Sequence, residues 1–270
     1  MRPTNTEAVK RMPETTRKLT EYNPAPDLLA ERVILVTGAG DGLGRAAARA
    51  YARHGASVIL LGRTVAKLEK VYDEIIADGG PQPAITPLDL ARASNADYAN
   101  LEKAIDKEFG RLDGLLHSAA ELGALTPLEL YEPETWTRVV QVNLNAPYLI
   151  TRTCLELLKR SQDASVIFSS SDVARHARAY WGAYAVAGGG LERVMEIWAD
   201  ELELNTRIRF NSLDPGAVAT ALRAYAYPAE DPHRHPKPEQ AMGLYLYLMG
   251  PDSRGITGKG WTTGDDVSIA

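Results

Sequence analysis

Apolar residues along this chain fall into two alternating kinds of segment. Val33-Ile34-Leu35-Val36-Thr37 is a short β-branched run stopped by glycines, which suits a strand buried on both faces. Over residues 43–54 the spacing changes: Leu43, Ala46, Ala47, Ala50 and Tyr51 share one helical face, and Gly55 supplies the stop. A second buried strand covers 58–61 and a helical stretch follows over 65–77. Further apolar runs occupy 84–88, 112–117, 166–169, 208–213 and 260–263, each separated from the next by a segment of helical length. Such alternation predicts an α/β fold, a mainly parallel, seven-stranded, doubly wound sheet with helices on both faces. One domain over residues 29–270 accommodates it. Residues 1–28 carry mixed charges and Pro3, Pro13, Pro24 and Pro26 without an apolar period, and are expected to form a flexible or draped arm. Residues 218–239, ending in a proline- and histidine-rich stretch, are expected to form a substrate loop.

Composition narrows the function classes. With 30 basic against 35 acidic side chains and a pI near 5.6, the chain lacks the basic balance of a nucleic-acid binder. No apolar run approaches the ~18 residues of a membrane span, and no signal-peptide pattern opens the chain. A lone cysteine, Cys154, fits a reducing compartment and a core position, so a cytoplasmic protein is expected.

Between the first strand and the first helix lies Thr37-Gly38-Ala39-Gly40-Asp41-Gly42-Leu43-Gly44. Glycines there permit a tight turn and a close backbone approach to a pyrophosphate, which the helix N-terminus then attracts. The setting, after a buried strand and before an alanine-rich helix, points to dinucleotide binding. Arg63 ends the second strand, where an NAD-selective site usually holds an acid for the ribose 2′-hydroxyl. Arg63 could pair with a 2′-phosphate, favouring NADP(H) over NAD(H). Asp41 would oppose that phosphate, and a solvated Arg63 is the plainer alternative.

With its G-x-x-x-G-x-G spacing, the sequence resembles the short-chain dehydrogenase/reductase family from residue 35 to about 264, in the stretches RVILVTGAGDGLGRAAARAYARHGASVILLGR, RLDGLLHSAA, WGAYA and LYLYLMGPDSRGITG. The resemblance implies a Rossmann-type fold and hydride transfer between a nicotinamide and a small carbonyl or alcohol substrate. By resemblance Thr37, Gly38, Asp41, Gly42, Leu43, Gly44 and Leu90 are cofactor-binding positions, and Asp89 contacts the adenine. Ser118 and Ala119, in His117-Ser118-Ala119-Ala120 where the family has Asn-Asn-Ala-Gly, would lie beside it. Pro215, Gly216, Val218 and Thr220 would pass the carboxamide and pyrophosphate, although the family's Asn-Pro-Gly reads Asp214-Pro215-Gly216. Asp89 also suits helix capping.

The same resemblance makes Tyr184 the proton donor, Ser171 the carbonyl anchor and Asn143 the support of a water relay. One departure is severe. The family's Tyr-x-x-x-Lys reads Tyr184-Ala185-Val186-Ala187-Gly188, followed by Gly189 and Gly190. Positions i and i+4 share a helix face, so a lysine there would reach both tyrosine and ribose, and glycine reaches neither. Three glycines cost about 1 kcal/mol each relative to alanine, so the helix is expected to be loose or re-packed. A tyrosine with pKa near 10 is about 0.1% phenolate at pH 7, which penalises alcohol oxidation more than carbonyl reduction. Impaired or direction-biased activity is expected; the alternative is a catalytically silent NADP(H)-binding subunit or sensor.

Arg175, His176 and Arg178 are read as solvated loop charges, and Trp181 and Trp198 as packing residues. His233 and His235 lack a third ligand at metal spacing, so no metal is expected. A homodimer or homotetramer through the long helices after Glu134 and Tyr184 is implied by the resemblance.

Overall fold

The computed structural model describes residues 15–18 and 22–269. The strands are β1 (Thr15–Lys18), β2 (Val33–Thr37), β3 (Ser57–Gly62), β4 (Ala84–Pro87), β5 (Gly114–His117), β6 (Ala164–Ser169), β7 (Ile208–Asp214), β8 (Gly260–Thr262) and β9 (Asp266–Ile269). Seven of them form one sheet in the order β4-β3-β2-β5-β6-β7-β8, every neighbouring pair parallel. The seven apolar runs of the sequence are these seven strands, shifted by at most two residues at their ends. Chain order reverses between β2 and β5, and in a doubly wound sheet ligands bind at the carboxyl ends beside that switch.

Two apolar cores flank the sheet because strand side chains alternate. Ile34 and Val36 point into one core, with α1 (Gly42–Arg53), α2 (Val65–Ala77) and α10 (Met242–Met249). Val33 and Leu35 point into the other, with α3 (Asn95–Phe109), α5 (Ala146–Thr153) and α6 (Leu155–Lys159). The second core also takes Leu191, Met195 and Ala199 from the long helix α8 (Gly182–Leu202). Helix α4 (Pro133–Val140) runs into α5 through a single π-turn, Gln141–Asn145. Cys154 sits fully buried where α5 gives way to α6.

Of the expected N-terminal arm, residues 1–14 and 19–21 lie outside the described residues. Thr15–Lys18 pair antiparallel with β9. Tyr22 is buried edge-on against Tyr247 and donates a hydrogen bond to Asp252 at 2.8 Å.

At the amino ends of the strands a buried ion cluster ties the chain together. Asp163 meets Arg32, Arg209 and Arg254 at 3.1–3.2 Å. Burial alone would raise its carboxyl, but the three guanidiniums hold it below the usual range. At the opposite, carboxyl end of β5, His117 is buried, stacked on Phe168 and bonded to the Thr151 hydroxyl at 2.8 Å. Burial pushes its imidazole down to about 3.

The unfolded chain therefore binds a proton at position 117 near pH 6.5 while the folded chain does not until about pH 3. Stability should fall as pH drops through that window, by up to roughly 4–5 kcal/mol from this group. In His117→Gln, thermal midpoints recorded between pH 7 and pH 4 should decline less steeply than in wild type. Parallel declines would show that His117 does not carry the effect.

Candidate functional site

A cavity of about 780 Å³ opens along the carboxyl edge of β2, β3, β5, β6 and β7. Its first wall is the glycine loop. Gly38 (φ +69°) and Gly44 are held by contact: a Cβ on Gly38 would lie 2.8 Å from the Ala119 backbone, and one on Gly44 2.3 Å from the Gly38 carbonyl oxygen. Only glycine lets this turn close under α1 and present the helix N-terminus to the cavity. Gly42 and Leu43 line the same wall, facing Thr220 across the opening.

Asp41 caps α1 by accepting the Gly42 N–H at 2.8 Å and is held by Lys67 at 2.6 Å. The Lys67 hydrogen bond keeps its carboxyl below the usual range. The expected opposition of Asp41 to a phosphate beside Arg63 is thus answered by a cation that sequence reading missed, at the start of α2 where no motif marks it. Arg63 lines the cavity, is exposed, and has no ion-pair partner among the described residues. Asp89 and Leu90 lie on the adjoining rim; Asp89 accepts the Ala91 N–H at 3.1 Å and so closes a turn, while α3 is capped by Ser94, not by Asp89 as its capping alternative expected.

Two expected site residues act from behind the wall. The buried Thr37 hydroxyl accepts the N–H groups of Ser118 and Ala119, both at 3.1 Å, fixing the segment that lines the floor. Asn143, buried in the π-turn, donates to the Glu121 carbonyl and accepts the Glu121 N–H, both at 2.8 Å. Neither side chain is on the cavity surface.

At the other end Ser171 and Tyr184 meet. Ser171 precedes the short helix α7 (Asp172–Arg175); its hydroxyl makes no bond to that helix, and it lines the cavity together with Tyr184. Tyr184, half-buried on α8, has its pKa pushed upward, mainly by burial and further by the Asp214 and Asp172 carboxylates; the nearby Ser171 hydroxyl works the other way.

The position four residues on explains the absent lysine. A Cβ on Gly188 would lie 2.7 Å from the Ala174 Cβ of α7, and one on Gly190 3.0 Å from the Leu144 Cδ2. Helix α8 runs unbroken through the glycine run, re-packed against α7 rather than loosened. Nor does Arg175 take the lysine's place. Contrary to a solvated loop charge, it turns inward to Glu192 at 3.0 Å, the Ser212 hydroxyl at 3.1 Å and the Trp261 carbonyl at 3.3 Å. Glu192, buried one turn beyond Gly188, also accepts the Ser170 and Ser212 hydroxyls, each at 2.5 Å. The network braces the serine segment beside Ser171, and glutamate on an apolar helix face was its only sequence trace. Arg178 is exposed and bonds Asp172 at 2.5 Å.

Pro215, Gly216 and Val218 continue the cavity wall to Thr220, which caps α9 (Ala221–Ala226). The loop beyond is pinned by Arg223 on Glu230 at 2.7 and 2.8 Å and by Ala219 N–H on the Pro236 carbonyl. His235 contacts Glu230 at 2.9 Å. Trp198 packs on Phe210 as read from the sequence. Trp181 does not merely pack: it lines the cavity between Tyr184 and Tyr227, ring centroids 5.8 and 5.9 Å away.

Comparison with known proteins agrees with this geometry. The family model for short chain dehydrogenase matches residues 32–231. The "Uncharacterized oxidoreductase YciK" of Escherichia coli K12 is 46% identical over 237 residues, 88% of this chain and 93% of that protein. A short chain dehydrogenase structure from Pseudomonas syringae superposes with TM-score 0.89 at 53% identity, covering 90% of this chain and 98% of the other. One from Escherichia coli CFT073, complexed with NADPH, gives 0.87 at 45% identity, covering 90% and 100%.

The Ala174 contact makes a stability prediction. Gly188→Ala should destabilise the protein in urea titration, because a clash costing typically 1–3 kcal/mol outweighs about 1 kcal/mol of helix propensity. In an Ala174→Gly background the nearest atom of residue 174 is its Cα at 3.5 Å, and the same change should stabilise. No change of sign between backgrounds would remove Ala174 as the reason for Gly188.

Proposed function

Because the chain belongs to the short chain dehydrogenase family and is an oxidoreductase of that type, we propose that it uses NADP(H) to interconvert a carbonyl and an alcohol, biased toward reduction. The observation that carries this reading is one cavity with the Ser171–Tyr184 pair at one end and an unpaired Arg63 at the other. The cofactor fits the residues present. Gly38, Gly40, Gly42 and Gly44 leave the loop backbone open to the cavity, and Arg63 suits a 2′-phosphate, with NAD(H) the weaker choice. The NADPH in the Escherichia coli CFT073 structure supports it. Bound there, NADPH would supply the hydride.

The chain's own residues do the rest. Ser171 orients the carbonyl oxygen by hydrogen bonding, and Tyr184 gives it a proton as a neutral phenol. Asn143 holds the Glu121 segment at the cavity floor. Without a lysine, burial and the carboxylates at Asp214 and Asp172 outweigh the Ser171 hydroxyl, so the environment of Tyr184 disfavours phenolate. Reduction needs only the acid form; oxidation needs the base. A silent cofactor-binding subunit is the second reading, favoured by the filling of the lysine's space with Ala174. We place the protein in the cytoplasm as a homo-oligomer, the exposed Tyr148, Val186 and Ile197 on α5 and α8 supporting assembly through those helices.

Substrate-dependent NADPH oxidation over ketones, aldehydes and quinones tests the reading. Tyr184→Phe and Ser171→Ala should each lower kcat about 10²–10⁴-fold with NADPH affinity retained. Arg63→Ala should weaken NADPH and spare NADH. Because the Tyr184 pKa lies above its usual value, alcohol oxidation should climb about tenfold per pH unit to pH 10 without a plateau, while reduction stays level. Tight NADPH binding with no turnover on the panel would select the silent reading. A plateau in oxidation near neutral pH would show another group lowering the tyrosine's pKa.

A further inference from the structure

Nearly every ionised side chain on the cavity wall is matched by a counter-charge. Asp41 meets Lys67, Glu121 meets Arg138, Asp172 meets Arg178, and Arg223 meets Glu230. Asp89 has Arg92 at 4.0 Å. Two are left without an ion-pair partner among the described residues: Arg63 beside the glycine loop, and Asp214 at the Tyr184 end. Asp214 is half-buried and spends one oxygen on the Gly216 N–H at 2.8 Å. Arg175, the nearest cation that acts on it, is committed to Glu192. Burial raises the Asp214 carboxyl, as befits a carboxylate lacking a cation.

The wall beside it is aromatic. Trp181, Tyr184 and Tyr227 follow one another at 5.8 and 5.9 Å, and Tyr227 already carries the Arg223 guanidinium over its ring at 4.7 Å. Aromatic faces and an unmatched carboxylate are the two groups that recognise a flat organic cation.

We propose that the substrate is a planar iminium cation, recognised by Asp214 and the Trp181–Tyr184–Tyr227 wall, and that this protein reduces C=N⁺ in preference to C=O. The inference rests on the oxidoreductase reading and deepens it. With NADPH as reductant, hydride forms the new C–H bond and the C=N π pair passes to nitrogen. The products are a neutral amine and NADP⁺, so the positive charge leaves on the oxidised nicotinamide. No proton is transferred in this step. A site without the lysine, whose tyrosine is a poor acid–base, is matched to that chemistry and not to alcohol oxidation. An anionic substrate such as a keto acid would face Asp214 and is disfavoured.

The test pairs N-methyl-3,4-dihydroisoquinolinium, a permanent cation, with α-tetralone, a neutral ketone of similar bicyclic shape. Calorimetry with NADP⁺ bound, where no hydride is available, should show the cation binding at least tenfold tighter. Asp214→Asn, verified as folded by its thermal midpoint, should abolish the preference while leaving α-tetralone affinity within twofold. Trp181→Leu should weaken the cation at least fivefold, an independent check should Asp214→Asn not fold. With NADPH the cation should be reduced at least tenfold faster than the ketone. Equal affinities for the two probes would overturn the inference. So would a cation preference that survives Asp214→Asn, or an Asp214→Asn effect confined to the ratio of NADP⁺ to NADPH affinity. NADPH binding measured alone separates the two levels: its absence defeats the oxidoreductase reading, whereas its presence without a cation preference defeats only this inference.

Discussion

The approach of α7 to α8 at Ala174 and Gly188 governs the chemistry of the site. A Cβ at position 188 would have 2.7 Å of space where ordinary carbon contact needs 3.4 Å or more. Glycine permits that approach, and the approach leaves no room for a long side chain in its place. Arg175 of α7 is paired with Glu192 and is consumed in bracing the serine segment. Helix packing and the electrostatics around Tyr184 are therefore one arrangement.

Charge pairing around the cavity follows from the same economy of space. An ion without a partner is costly to bury, and among the described residues two on the cavity wall lack one: the exposed Arg63 and the half-buried Asp214. Arg63 stands by the glycine loop and Asp214 by the tyrosine. Their separation gives the cavity a polarity along its length, suited to an anion at one end and a cation at the other.

Much of the fold was legible in the sequence because buried parallel strands read as continuous apolar runs. The run at 33–37 became β2 without change, and 65–77 became α2. The run at 112–117 lost its first two residues because Leu112 and Asp113 approach the sheet before the β2 ladder begins at Gly114. Gly38, Gly42, Gly44, Ser171 and Tyr184 reached one cavity because the carboxyl ends of their strands share one edge. Thr37 and Asn143 were selected with them, but both side chains are spent on backbone groups of the floor, a distinction no spacing rule can make. Lys67, Glu192 and Ala174 carry no motif at all. Their roles come from neighbours 26, 17 to 22 and 14 residues away in the chain, brought close only by tertiary packing.

By itself the sequence determined the layered α/β architecture, the glycine loop and the absence of a lysine at position 188. Each is a local matter of side-chain periodicity, backbone freedom or residue identity. Tertiary structure decided what that absence means. It placed Ala174 where the lysine would extend, turned Arg175 away from Tyr184, matched Asp41 with Lys67 and left Asp214 unmatched. Those outcomes depend on which surfaces of α7, α8 and β7 meet, and electrostatic interactions act across that space irrespective of distance along the chain.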